Sequence, residues 1–143
     1  MARSDAARND TPGQDSGKLV LRLTIGILIL LHGIAKVSGG IDPIAGMLTK
    51  TGMPAGLAYL VYVGEVLAPI LLILGIWTRP AALIVVVNMI VAVVLAHAHQ
   101  LFTMSKTGGY GLELQALFLF AAIAIALLGA GRYSLGGLHG RMN

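Results

Sequence analysis

The chain has 143 residues, 57% hydrophobic and only 11% charged, with a mean hydropathy of +0.85 and a formal net charge of +4. A soluble domain of this length needs far more polar surface to cover its core, so the composition points to an integral membrane protein. There is no cysteine, which excludes disulfides, thiolate metal centres, cysteine-ligated iron–sulfur clusters and cysteine nucleophiles. The basic residues are scattered rather than gathered into one stripe, so no nucleic-acid partner is expected.

Residues 1–18 mix Asp5, Asp10 and Asp15 with Arg3, Arg8 and Lys18 and hold no large apolar residue beyond Met1. That composition predicts a disordered polar tail. The next, apolar stretch, Leu19 to Val37, reads as an uncleaved span rather than a secretory signal, close to the ~20 residues a helix needs to cross about 30 Å of hydrocarbon. It closes at Ser38-Gly39-Gly40. Residues 38–55 hold Ile41, Ile44, Met47 and Leu48, the pattern of a short helix on the membrane surface. A second span covers 56–77 and stops at Thr78-Arg79-Pro80, where proline can open the next helix. The third runs over 80–100 and the fourth, after the loop Lys106 to Tyr110, over 111–130. Residues 19–136 are thus expected to form one all-α four-transmembrane-helix bundle, ahead of a short tail, 137–143. Four spans put both termini on one side, which then carries Arg3, Arg8, Lys18, Arg22, Arg79, Arg132 and Arg141 against Lys36, Lys50 and Lys106 on the other. The positive-inside rule makes the side with the termini cytoplasmic.

Four ionisable residues interrupt the spans: His32, Lys36, Glu65 and Glu113. A charge in hydrocarbon costs several kcal/mol by most estimates, about 3 or more, so each is a candidate functional residue with a partner to be found. Helix rise puts Glu113 about 3–5 Å, His32 about 9 Å, Glu65 about 13 Å and Asn88 about 18 Å below the outer surface. His32 and Lys36 are i and i+4 and share a face, with Gly26 and Gly33 flanking it for close approach of another backbone. An imidazole donates a hydrogen bond and exchanges a proton near neutral pH. A buried carboxylate such as Glu65 needs either a proton or a paired cation. On the third span, ideal periodicity puts His99 on the face of Asn88 and His97 opposite. Spacing of i, i+2 divides these two histidines between faces, so no metal site is expected. Arg22 reads as a snorkelling anchor, Asn88 as an interhelical hydrogen-bond residue, and Trp77, Tyr110 and Tyr133 as interfacial aromatics. Gly26, Gly33, Gly64 and Gly75 read as packing positions.

The segments LLHGIAK (Leu30 to Lys36), GEVLAPILLILGIWTRPAAL (Gly64 to Leu83), GGYGLELQALFL (Gly108 to Leu119) and GAGRYSL (Gly129 to Leu135) resemble, in order and spacing, the DoxX family of small four-helix bacterial inner-membrane proteins. The last segment departs from a frequent Gly-Pro-Gly-Arg-Tyr-Ser-Leu-Asp form at Ala130 and Gly136. The resemblance implies a multi-pass protein of the bacterial plasma membrane. His32, Lys36, Glu65 and Glu113 match the family's polar positions, and His97, against the periodicity, matches its histidine near the end of the third helix. It also implies links to thiosulfate oxidation coupled to quinone reduction and to redox or sulfur-metabolism partners.

Three functions are expected on these grounds. The first is a quinone-linked oxidoreductase subunit with catalytic His32 and Glu65 and a quinone pocket in the outer half of the bilayer built from His32, Lys36, Glu65, His97 and Glu113. Tyr59, Tyr62 and Phe118 supply ring surfaces to that pocket. Neither a CxxCH haem site nor a Gly-x-Gly-x-x-Gly loop is present, so electrons have to come from a bound substrate or a partner subunit. The second is a non-catalytic membrane anchor or assembly partner of a redox or sulfur-metabolism complex. The third is a small proton or solute pathway along the polar residues. Small-residue faces permit a homo-oligomer without specifying one.

Overall fold

Thr11 opens α1 (Pro12–Gly39). Its hydroxyl accepts from the Gln14 N–H while the Gln14 side chain accepts from the Thr11 N–H at 2.7 Å, and Pro12, with no N–H to leave unpaired, takes the first helical turn. The computed structural model describes residues 10–137 and 142–143; Arg3, Arg8 and Arg141, three of the basic residues on the terminal side, lie outside the described residues, as does the first half of the expected tail. The second half of that tail is ordered, because the helix begins at Pro12 rather than Leu19. Asp15 explains why: it is buried, and its Oδ1 accepts from the Arg132 N–H at 2.9 Å, while Lys18 pairs with Asp10.

Among the described residues the fold is all helical, with no strand. α2 (Asp42–Lys50) is the short helix expected after the first span; its Leu48 is buried with Ile41 against Ala58, and Leu95 packs on the same cluster. α3 (Ala55–Leu74) starts with a tight turn at Ala55–Tyr59 and widens over Val63–Leu67. α4 (Thr78–Gln100) widens near its end, over Val93–His97, and closes in a tight turn at Ala98–Gln100. α5 (Glu113–Leu128) has 16 residues. By length and composition α1, α3 and α4 are each able to cross a membrane, and α5 is a shorter apolar helix.

The main core joins Ile25 and Ile29 of α1, Ala68 and Leu72 of α3, Ala81, Ala82, Val85 and Met89 of α4, and Phe118, Ala122 and Ile125 of α5. Alanines at four of these places let the helices approach closely, which is how apolar helices associate where water supplies no driving force. Large apolar side chains such as Val20, Leu31, Val87, Val94, Leu117 and Phe120 point outward, as a lipid environment requires.

The end of the bundle that holds the termini is closed by hydrogen bonds to backbone. After α5 the chain lies across the α3–α4 turn: the Leu135 N–H donates to the Leu74 carbonyl and the Gly136 N–H to the Gly75 carbonyl, each at 3.0 Å. Gly75 (φ 69°) and Trp77 (φ 48°) are both left-handed in that turn. Arg79 donates from Nη1 to the Ala126 and Leu127 carbonyls at 2.8 and 3.1 Å, capping α5. Arg22 corrects the snorkelling expectation. It is 1% exposed and donates to the Leu72 carbonyl at 2.9 Å and to the Tyr133 carbonyl, so its charge meets the negative end of α3 instead of headgroups. Replacing Arg22 with Met should lower stability by about 2–3 kcal/mol, since hydrogen bonds to a charged partner contribute about 1.5–3 kcal/mol and the stranded carbonyls add to the loss. Thermal unfolding in detergent measures it; an unchanged midpoint would show the clamp to be idle.

Candidate functional site: a buried Lys36–Glu65–Asn88 group

Pro69 shapes this site. In a regular helix its N–H would donate to the Glu65 carbonyl; without it α3 widens, and the Ala68 N–H instead reaches the Val63 carbonyl five residues back. α1 meets α3 at the carbonyl thus deprived of its donor. A Cβ on Gly33 would overlap the Glu65 carbonyl oxygen and stand 2.8 Å from Val66 Cγ2, so only glycine fits. Two turns away, a Cβ on Gly26 would stand 2.7 Å from Ile73 Cγ1 and 3.1 Å from the Pro69 carbonyl oxygen. On the opposite flank Gly64 makes room for the Asn88 side chain of α4.

These close approaches bring three polar side chains from three helices together. Glu65 is 5% exposed, and its two carboxylate oxygens are taken separately: Lys36 Nζ of α1 pairs with Oε2, and Asn88 Nδ2 of α4 donates to Oε1 at 3.3 Å. Tyr62, one turn before Glu65, donates its hydroxyl to the Lys36 carbonyl at 3.4 Å and ties the end of α1 to α3. Side-chain exposure rises from 6% at Glu65 to 32% at Lys36, so the ion pair runs from the interior of the bundle to its surface. One turn along α1, His32 is exposed, with its ring edge-on to buried Phe118 of α5 at 6.0 Å between centroids and 76° between planes.

The remaining expected residues stand apart. Glu113 is exposed at the start of α5, its carboxylate beside Gly109. His97 is half-buried, and its Nδ1 lies 3.1 Å from the Ala92 carbonyl oxygen. A carbonyl only accepts, so Nδ1 carries a proton and Nε2 is the ring's free acceptor when neutral. Neither residue bonds to the Lys36–Glu65–Asn88 group. His99 is exposed, against the periodicity, because the wide turn Val93–His97 inserts a residue and rotates the end of the helix by about 100°. Among the described residues no group of three or more His, Cys, Asp or Glu side chains is placed to hold a metal ion.

Two parts of the site escape a reading based on charge alone. Tyr62 acts through its hydroxyl rather than its ring face, and Pro69 acts by what it lacks. Their signals are spacings, three residues before and four after Glu65.

The family model for DoxX matches residues 17–98, more than half of the chain. The chain belongs to the DoxX family. The matched part of this DoxX protein contains His32, Lys36, Glu65, Asn88 and His97, while Glu113 and the segment Gly129 to Leu135 lie beyond it. No curated protein and no solved structure matches the sequence.

Proposed function

We propose that this DoxX-family chain is the membrane subunit of a quinone-linked oxidoreductase, set in a bacterial inner membrane with its terminal end cytoplasmic. The observation that carries the reading is the ion pair Lys36–Glu65, buried at the carboxylate and open at the ammonium, with His32 exposed one turn away on the same helix. The donor set fits the group. Lys36 has N–H donors beyond the one spent on Glu65, and His32 supplies another about 6 Å along the helix, so the two can hold carbonyl oxygens of one flat ring. Phe118 fixes the imidazole from behind. Exposed Leu31, Ile34 and Val37 on the same helix suit lipid, the phase from which an apolar carrier arrives. A bound quinone supplies an acceptor of two electrons and two protons. His32 offers an imidazole N–H to such a ring, and Glu65, tied to Lys36, holds that ammonium in place. With no cysteine and no haem motif in the chain, electrons come from a bound substrate or from a partner subunit that carries a redox group.

Mass spectrometry of molecules retained after mild detergent extraction tests this. Wild-type protein is expected to carry quinone, with His32→Ala weakening retention tenfold or more while the fold persists. A wild-type protein that retains none, and binds no added short-chain quinone, would overturn the reading.

A second reading rests on the same trio. All of its bonds run between helices, the pattern of polar ties that fix helix register, and this favours a non-catalytic anchor or assembly partner of a redox or sulfur-metabolism complex. Recovery only in stoichiometric complex, without bound quinone, would select it.

A further inference from the structure

We infer that residues 101–112, between α4 and α5, form a re-entrant cap seated in the lipid interface, with Phe102 and Met104 reaching toward the acyl chains. This placement is a matter of how the fourth helix crosses and is independent of the proposed redox role.

Helix length points to it first. α5 has 16 residues and spans about 24 Å, short of the ~30 Å of hydrocarbon, whereas the 23 residues of α4 span about 34 Å. The shortfall has a location. Arg79, at the start of α4, binds the carbonyls of Ala126 and Leu127 at the end of α5, so the two antiparallel helices are level there. Counting back to Glu113 puts the start of α5 beside about residue 93 of α4, roughly 10 Å short of that helix's end. The chain from Leu101 to Leu112 therefore descends alongside the last turns of α4, to the depth of the interface.

Lipid-exposed irregular backbone does not lie in hydrocarbon, so the segment belongs in the hydrated headgroup layer, where its remaining polar groups meet water. Part of its backbone bonds within the segment. The N–H of Thr103 donates to the Gln100 carbonyl at 3.1 Å, Ser105 to Gly109 at 2.7 Å, Gly108 to Ser105 at 3.0 Å and Gly111 to Thr103 at 2.9 Å. Side chains take part too. The Gly109 N–H donates to Ser105 Oγ at 2.9 Å, and the Tyr110 hydroxyl donates to the Leu101 carbonyl at 2.7 Å.

The segment also displays the right surface. Phe102 is 99% exposed and Met104 73%, on a backbone held in place by those hydrogen bonds. Val87, Ile90, Val91 and Val94 of α4 are likewise exposed apolar residues. Lys106, at the tip, is exposed and suits anionic headgroups. The depth set by the short α5 selects lipid over a protein as the occupant.

Because the chain has no cysteine, single-site spin labelling reads the position without interference. The full chain carrying Phe102→Cys, labelled with a nitroxide and reconstituted in phosphatidylcholine–phosphatidylglycerol vesicles, is compared with Ile90→Cys and Lys106→Cys. Accessibility to oxygen should exceed accessibility to a water-soluble nickel chelate severalfold at 102, as at 90, and the ratio should invert at 106. Met104→Cys provides a second label should the first variant fail to fold. Nickel accessibility dominating at both 102 and 104 would put the segment in water and overturn the inference; exclusion of both reagents would show a protein covering it and overturn it equally.

Discussion

Replacing Lys36 with Met should destabilise the protein more than replacing Glu65 with Gln, although the two residues form one ion pair. The asymmetry comes from burial. Removing Lys36 leaves a carboxylate whose side chain is 6% exposed, with the 3.3 Å bond from Asn88 as its remaining support. Breaking a buried pair from one side costs about 3–5 kcal/mol, because the abandoned charge cannot find water. Removing the charge of Glu65 leaves Lys36, 32% exposed on a flexible four-carbon stem, able to carry its ammonium to the bundle surface. Glutamine keeps an oxygen to accept from Asn88, so that variant should lose about 1–2 kcal/mol. The double variant, with neither charge left behind, should fall well short of the sum of the singles. Unfolding of the four proteins in one detergent gives the cycle. Equal losses for the two single variants would mean that Glu65 reaches solvent more freely than its burial indicates.

Gly33→Ala is the second substitution with a large expected effect. The added methyl would overlap the Glu65 carbonyl oxygen, which is main chain and cannot rotate aside. Overpacking costs about 1–3 kcal/mol and occasionally more, and a collision with backbone belongs at the upper end, about 3 kcal/mol. Gly26→Ala meets chiefly Ile73 Cγ1, a side-chain atom that a rotamer change can move, and should cost about 1 kcal/mol. The separation of α1 from α3 in Gly33→Ala also pulls Lys36 away from Glu65. Comparable unfolding midpoints for the two alanine variants would contradict the close contact at Gly33.

Apolar run lengths are enough to place the helices, because hydrocarbon thickness sets a length that few polar residues may interrupt. The closing glycines and Pro80 mark where runs stop. The start of α1 is equally legible in Thr11-Pro12 and Gln14, but tail composition outweighs a capping signal when the buried partner, the Arg132 N–H, lies more than a hundred residues on. Glu65, Lys36 and Asn88 stand out as polar residues in apolar surroundings. Their pairing does not, because depth counted along each helix says nothing about which face turns toward which neighbour. The histidines near the end of α4 show the same limit. Periodicity assumes 3.6 residues per turn throughout, and one wide turn carries His99 outward. Arg22 escapes for a related reason: distance from the span end favours a headgroup, whereas the carbonyls at the end of α3 and at Tyr133, supplied by distant chain, lie closer.

The crossing of residues 135–136 over Leu74 and Gly75 has a consequence for biogenesis. A ribosome delivers the crossing segment after everything it binds, so the left-handed turn at Gly75 and Trp77 stays unlatched until the last helix has entered the membrane. Vectorial insertion therefore has to deliver Lys36 and Glu65 to the bilayer, and let them find each other, before the bundle is locked at its far end.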